Sequence, residues 1–265
     1  MEGLEKYRIK EAPDVVHYVP EFVSPAEESR LLEHVYAAPR PRWTQLAHRR
    51  LQNWGGLPHP RGMLPEPIPQ WLRLTMERIG ALGCFGEHRP NHVLVNEYTA
   101  GQGIMPHTDG PLFTPVITTV SLGSHALLDL YRPRRDAQVR CPTCTGRGAT
   151  HRYAARPVPE SSQEGGLQED SPQKAGLQEE EEEECEDGRP VLLGSLLLEP
   201  RSLLVVRQDA YHSVLHGIEP VREDTITPTV YNAAGRPTGQ RLVRSTRVSL
   251  TIRHVPKVLK VRLRL

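Results

Sequence analysis

The chain has 265 residues, enough to bury one substantial core, and its formal net charge is only +1 although 25% of its residues are charged. No run of eighteen apolar residues occurs, and residues 1–10 are charged and lack an apolar segment, which argues against a membrane span and a secretory leader. Four unevenly spaced cysteines do not form a disulfide framework, so we expect them to be reduced thiols. We expect a single-domain intracellular protein of the cytoplasm and nucleus, with a monomer favoured.

Two amphipathic helices are predicted in the N-terminal region, residues 13–90. Residues 24–27, Ser-Pro-Ala-Glu, have the form of a capping box with proline in the first turn, and apolar residues then recur at helical spacing. This pattern predicts a helix over 25–37. A second helix is predicted over 69–81, which ends in glycines and has one apolar face formed by Leu72, Met76 and Ile79.

After residue 90 the pattern changes to short β-rich segments separated by glycine and proline. Together they predict an antiparallel β core over residues 91–134 and 190–256, preceded by helices, which is a mainly β fold of the α+β class. The predicted strands are residues 92–98, 116–122, 126–131, 195–199, 202–207 and 246–253.

Residues 135–189 differ in composition from both neighbouring segments. They lack apolar periodicity, and residues 160–187 hold twelve acidic side chains against one lysine, a local charge of −11 that leaves +12 for the rest of the chain. Such a segment cannot bury enough apolar surface to offset its ordering entropy, so we predict a disordered acidic insertion between two strands. Cys141 and Cys144 resemble half a zinc site, but without a full ligand set free thiols are favoured. Residues 222–240 are also predicted to be poorly ordered.

His107 and Asp109 are the first candidate metal ligands. In an extended segment, residues two apart point to one face, so this imidazole and carboxylate can reach one ion. A downstream histidine would complete the two-His, one-carboxylate triad that suits Fe(II) binding an oxidant and a co-substrate. We favour His216, because Gly217 lets the chain bend after it without crowding the metal. The rival ligand is His212, and His-x-Asp alone also arises by chance.

The segment 246–253 alternates strictly, with Arg247 and Arg253 on its polar face. Two arginines inside a barrel are costly unless each meets an anion, so they could clamp a short dicarboxylate. The alternative is a solvated edge strand. Asn96 and Tyr98 share a face of the strand that leads to His107, and both can hydrogen-bond a carboxylate, although packing alone also explains a single tyrosine.

In this order along the chain, the motifs resemble the AlkB-like 2-oxoglutarate dioxygenases. The resemblance covers roughly residues 13–134 and 190–262, and the segment 135–189 departs from the family pattern. It rests on Asn96-Glu97-Tyr98, Pro106-His107-Thr108-Asp109, Leu215-His216-Gly217-Ile218 and Arg247 to Arg253, with further similarity at residues 43–46, 51–58 and 121–125.

The resemblance implies a double-stranded β-helix, or jelly roll, and a dioxygenase that uses Fe(II), 2-oxoglutarate and O2. It implies that the iron is held by His107, Asp109 and His216. It also implies that the distal carboxylate of 2-oxoglutarate is held by Asn96, Tyr98 and Arg247, and the metal-proximal end by Arg253. Oxidation of a methyl group on nitrogen would release formaldehyde.

For the substrate, aromatic and cationic residues interleave over residues 43–61. Aromatic rings can stack a base while cations hold phosphate, which favours nucleic acid as a partner. The basic remainder of the chain agrees with this, although surface charge that only maintains solubility is the alternative. For the tryptophans, the alternative to base stacking is simple packing within the protein. An adaptor protein with weak catalysis and an oxygenase of protein side chains remain rival functions. The candidate nucleic-acid contacts are Trp43, Arg49, Arg50 and Trp54.

Overall fold

The computed structural model describes residues 2–13, 15–133 and 190–260. The described residues belong to one compact unit. The predicted acidic insertion, with Cys141, Cys144 and Cys185, lies outside the described residues. Cys84 is a buried free thiol, as predicted. No helix among the described residues is long and apolar enough to cross a membrane.

The described unit is built mostly from strands. Its α-helices are α1 Glu2–Glu5, α2 Pro25–Ala37, α3 Gln70–Gly80 and α4 Asp209–Ser213, with a 3-10 turn at Arg40–Arg42. Its strands are β1 Val15–Val19, β2 Thr44–Leu46, β3 Arg49–Trp54, β4 Gly56–Leu57, β5 Leu64–Pro65, β6 His92–Tyr98, β7 Ile104–His107, β8 Val116–Gly123, β9 Ala126–Arg132, β10 Val191–Leu198, β11 Leu203–Arg207, β12 Leu215–Ile218, β13 Glu223–Thr225, β14 Arg241–Val243 and β15 Arg247–Arg253.

Two antiparallel sheets form the double-stranded β-helix that the sequence indicates. The larger sheet has the strand order β1-β11-β8-β15-β6-β3-β2, and the smaller has the order β10-β9-β12-β7. Strands β13 and β14 form a separate hairpin, as do β4 and β5. Strand β9 pairs with β10 from Arg132 and Val191 inward, so the predicted insertion does interrupt a β connection.

Side-chain alternation along the larger sheet separates two layers of packing. In β15, Val248, Leu250 and Ile252 are fully buried in a core shared with helices α2 and α3. The residues between them point to the other face, toward the smaller sheet. Strand β8 follows the same rule, with Val120 in the helical core and Ile117 in the core between the sheets. Period-two patterning therefore decides which side chains reach the interior between the sheets.

Both predicted helices are confirmed. At the start of α2, the Glu27 backbone N–H donates to Ser24 Oγ (3.2 Å) and the Ser24 backbone N–H donates to Glu27 Oε2 (2.7 Å), which completes the capping box. Helix α3 buries the predicted face against the larger sheet through Leu72, Met76 and Ile79.

The prediction of a poorly ordered stretch at residues 222–240 is wrong. It contains β13, and its apolar residues Ile226 and Val230 are buried against Leu197 of β10. Asp224 also forms a buried, bidentate ion pair with Arg244, at 2.6 and 2.7 Å. The segment is polar, but it can still pack against the protein because its buried polar groups form hydrogen bonds.

We predict that His92 makes the fold sensitive to acid. Its side chain is fully buried, and burial, with a smaller contribution from the charge on Arg253, lowers its pKa to about 3. An unfolded histidine titrates near 6.5, so stability from neutral His92 is complete above that pH and is lost as the pH falls toward 3. Between pH 6.5 and 5 the expected loss is about 2 kcal/mol.

Denaturant unfolding at several pH values would test this for His92→Gln, which should lose less stability over that range than the wild type. The exposed His212 provides the control, because His212→Gln should keep the wild-type slope. Equal slopes in all three proteins would contradict a neutral buried His92.

Candidate metal and co-substrate site

Three predicted ligands meet at the end of the smaller sheet. His107 on β7 and His216 on β12 are directly paired across the two strands, and their ring centroids are 4.5 Å apart. One ligand atom from each of His107, Asp109 and His216 lies within 4.8 Å of the others. Among the described residues this is the one cluster of three or more such groups that could hold a metal ion. His212 is an exposed residue of helix α4 and is not part of this cluster.

Both imidazoles can present a ring nitrogen to a metal ion. His107 Nδ1 lies 2.8 Å from the Met105 carbonyl oxygen, so Nδ1–H donates there and the Nε2 lone pair is free for a metal. Burial lowers the pKa of His216 to about 4, with His107 contributing further, so this ring is neutral near pH 7. Two ring nitrogens and one carboxylate fit a site for Fe(II).

Gly217 lies where two strand backbones come close together. Its φ is outside the left-handed region, so its backbone conformation alone does not require glycine. A Cβ at this position would instead lie 3.1 Å from the Ile104 carbonyl oxygen and 3.1 Å from Pro106 N. Glycine therefore allows β12 to approach the β7 backbone closely, which brings the two histidines together.

Arg253 is paired with the candidate iron ligand Asp109. Its Nη2 donates to Asp109 Oδ1 at 3.0 Å, and its Nε lies 2.9 Å from Oδ2. The second contact is close but is not aligned as a hydrogen bond, since Nε and Oδ2 have no hydrogen-bond partner among the described residues. The guanidinium thus compensates the buried carboxylate beside the metal position. It also stacks on Phe113, with Cζ 4.5 Å from the ring centre.

Arg247 lies deeper in the same cavity, which has a volume of about 220 Å³. Only 3% of the residue is exposed, and Nη2 donates to Ser121 Oγ at 2.8 Å. Its Nε has no partner among the described residues, and no carboxylate there forms an ion pair with it. Burial lowers the pKa of this guanidinium to about 10. A buried cation that meets only a hydroxyl is the environment expected of an anion-binding site.

Asn96 and Tyr98 line this cavity from the neighbouring strand β6. Tyr98 is directly opposite Arg247 in the sheet register, and their side chains approach each other at 5.9 Å between Cζ and the ring centre. Burial raises the pKa of Tyr98, although Arg247 opposes the shift, so the phenol stays a proton donor. The structure therefore brings all seven predicted metal and co-substrate residues into one cavity.

The four candidate nucleic-acid contacts do not form one surface. Arg49 lines the cavity, and its Nε donates to Asn96 Oδ1 at 3.2 Å. Arg50 points to the other face of β3, where it makes two hydrogen bonds to Glu97 and covers the Trp43 ring at 4.1 Å.

Trp54 is on the same face of β3 as Arg50 and makes intramolecular contacts. Its Nε1 donates to Gln52 Oε1 at 2.9 Å, and its ring packs edge-on against Trp71. Both Trp43 and Trp54 pack against the core shared with the helices. These contacts agree with the packing alternative for the tryptophans.

The sequence profile of the 2OG-Fe(II) oxygenase superfamily matches residues 31–253. The chain belongs to this superfamily. Membership implies that the oxygenase uses Fe(II) and 2-oxoglutarate, and the cavity described above contains suitable donors for both.

Two relatives and one solved structure align with nearly the full length of this oxygenase. It is 47% identical to the zebrafish (Danio rerio) protein named probable RNA/DNA demethylase ALKBH6, over 98% of this chain and 94% of that one. It is 24% identical to uncharacterized protein L905 of Acanthamoeba polyphaga mimivirus, over 96% and 91% of the two chains. The solved structure of OsALKBH1 aligns with 90% of this chain and 97% of its own, with a TM-score of 0.49 and 13% identity. The 47% identity to ALKBH6 over nearly all of both chains confirms the resemblance to the AlkB-like family.

Two further residues support the site of the oxygenase and were not predicted. Ser121 accepts the Arg247 hydrogen bond, and its position on the inward face of β8 could have been found from alternation. Tyr211 of α4 donates from its hydroxyl to the Gly110 carbonyl oxygen at 2.6 Å, which fixes the turn after Asp109. No local pattern links Tyr211 to that turn, because the contact spans about one hundred residues of sequence.

Proposed function

We propose that this oxygenase binds Fe(II) through His107, Asp109 and His216 and, with 2-oxoglutarate and O2, oxidatively demethylates N-alkylated nucleic acid, either DNA or RNA. The observation that carries the proposal is the convergence of these three ligands beside the buried, uncompensated Arg247 in one cavity. When bound, iron with 2-oxoglutarate and O2 supplies the oxidation that hydroxylates a C–H bond, while 2-oxoglutarate becomes succinate and CO2.

The protein's own residues supply binding and orientation. Arg247 and Tyr98 would donate to the distal carboxylate of 2-oxoglutarate, which compensates the buried guanidinium. Arg253, beside Asp109, would contact the metal-proximal end and keep the ligating carboxylate in position. Apolar side chains from both sheets line the rest of the cavity and would exclude water; they include Ile117, Leu128, Leu198, Leu204 and Val206.

Nucleic acid is proposed as the substrate on two grounds. The ALKBH6 relative, 47% identical, is named as a probable RNA/DNA demethylase. Outside residues 160–187 the chain carries a net charge of +12, which suits a polyanion. A hydroxymethyl group on a base nitrogen breaks its C–N bond spontaneously, so the nitrogen recovers a proton and the carbon leaves as formaldehyde. We also propose that the protein works in the cytoplasm and nucleus, where both nucleic acids occur.

We expect N-methylated oligonucleotides to yield formaldehyde and succinate in equal amounts when Fe(II), 2-oxoglutarate and O2 are present. Asp109→Ala is the control and should yield neither product above background, because it removes the ligating carboxylate. Oligonucleotide affinity should fall steeply as salt rises.

Three results would change the proposal in different ways. Succinate formed with methylated peptides but not with oligonucleotides would identify an oxygenase of protein side chains. Tight oligonucleotide binding with no succinate would favour an adaptor protein. A wild-type protein that binds neither Fe(II) nor 2-oxoglutarate would remove the enzymatic function altogether.

A further inference from the structure

A third arginine, Arg49, enters the cavity from the N-terminal hairpin β2–β3. Strand β3 pairs with β6 so that Arg50 is opposite Glu97, and continuing this register places Arg49 opposite Tyr98. Tyr98 is in turn opposite Arg247 of β15. The three residues Arg49, Tyr98 and Arg247 therefore form one row across the sheet, on its inward face. With strands about 4.8 Å apart, the two arginine Cα atoms are about 10 Å apart, a gap that their side chains can close.

The charges in the cavity do not balance. Three guanidinium groups line it, whereas Asp109 is the one carboxylate among the lining residues. Asp109 is already paired with Arg253. Arg247 donates to a hydroxyl, and the one hydrogen bond that the Arg49 guanidinium makes to the described residues goes to the neutral amide of Asn96. Two of the three cations thus lack an anionic partner among the described residues, and both adjoin Tyr98.

Arg49 also determines how Asn96 can act. Because Asn96 Oδ1 accepts from Arg49 Nε, the Nδ2 amide group is left as the donor that can bind a carboxylate in the cavity. Arg49 itself keeps its terminal nitrogens for a ligand. The residue is only half-buried, so it lies at the side of the cavity where the β2–β3 hairpin closes it.

We propose that Arg49 and Arg247 together bind the distal carboxylate of 2-oxoglutarate, one from each side of Tyr98, and that Arg49 also positions Asn96 for the same carboxylate. This inference rests on the proposed use of 2-oxoglutarate. It makes the β2–β3 hairpin part of the co-substrate site rather than a phosphate-binding surface. The alternative is that Arg49 binds a phosphate of the nucleic acid. The experiment below distinguishes these two ligands.

The test compares two keto acids that share the metal-binding end. 2-Oxoglutarate carries the distal carboxylate, whereas 2-oxopentanoate has the same carbon chain without it. Affinities are measured anaerobically with Fe(II), from the charge-transfer band of the metal–keto acid complex, so no turnover is needed. For Arg49→Gln we expect the Kd of 2-oxoglutarate to rise about 10- to 100-fold, the range for a lost charge-assisted hydrogen bond. The Kd of 2-oxopentanoate should stay the same.

Two further variants complete the experiment. Arg49→Lys keeps the charge but cannot bind Asn96 and the carboxylate with one planar group, so its 2-oxoglutarate affinity should lie between those of the wild type and Arg49→Gln. Arg30→Gln, on the exposed side of α2, is the matched loss of an arginine outside the cavity and should change neither affinity. Thermal unfolding shows that each variant is folded.

Four outcomes would overturn the inference. Equal weakening of both keto acids would mean that Arg49 only supports the local structure. Unchanged keto acid binding with weaker oligonucleotide binding would assign Arg49 to phosphate. No change in any affinity would remove Arg49 from the site. A wild-type protein that gives no band with 2-oxoglutarate would instead remove the proposed function, and the role of Arg49 with it.

Discussion

Replacing His216 by alanine is expected to abolish the charge-transfer band that Fe(II) and 2-oxoglutarate produce anaerobically, whereas replacing His212 leaves the band intact. His216 faces His107 across two paired strands, and both lie within 4.8 Å of an Asp109 oxygen. The remaining two ligands would then have to hold the iron alone, and iron supplied at a concentration that saturates the wild type should no longer bind.

His212→Ala is a matched control because it removes an imidazole only four residues away, at an exposed position. Its folding should resemble that of the wild type. A band lost in His212→Ala and retained in His216→Ala would show that the two histidines had been assigned the wrong way round. Isothermal titration of the apoprotein with Mn(II) gives a second measurement that does not depend on colour.

The side chains that enter the cavity from β15 and β6 were predictable, because successive residues of both strands alternate between the two faces of the sheet without interruption. Once Val248, Leu250 and Ile252 are assigned to a core, the arginines on either side must point the other way, and the structure places them there. The same alternation places Asn96 and Tyr98 on the inward face of β6. Helix α2 was predictable for a local reason as well, since its capping box begins the helix at a defined residue.

What the sequence did not predict depends on contacts between distant segments. Strand β3 is polar and half-buried, so it lacks the apolar alternation of an inner strand, and its pairing with β6 is set by the sheet. Without that strand, Arg49 and Arg50 look equivalent, although the pleat sends one into the cavity and the other to the helical core. The close approach that requires Gly217 is likewise invisible until β7 and β12 are paired.

Replacing Arg247 by methionine is expected to weaken 2-oxoglutarate binding more than a hundredfold and yet leave the ligand-free protein as stable as the wild type, or more so. The guanidinium is buried with one hydroxyl partner and no carboxylate among the described residues. Its desolvation is therefore not repaid in the absence of ligand, and an apolar side chain of similar length removes that cost, which is about 1–3 kcal/mol. The lost carboxylate contact should weaken 2-oxoglutarate by about 3–5 kcal/mol, which is more than a hundredfold in Kd.

Arg244 provides the contrast, because it is equally buried but has its anion inside the protein. It makes two short hydrogen bonds to Asp224, which is itself buried. Arg244→Met would leave that carboxylate without its guanidinium partner, with only the His125 imidazole 3.2 Å away among the described residues, and should destabilise the protein by about 3–5 kcal/mol. Denaturant unfolding with and without 2-oxoglutarate and Mn(II) measures both effects. If Arg247→Met destabilised the ligand-free protein as much as Arg244→Met, the charge of Arg247 would already be compensated, and the cavity would no longer qualify as an anion site.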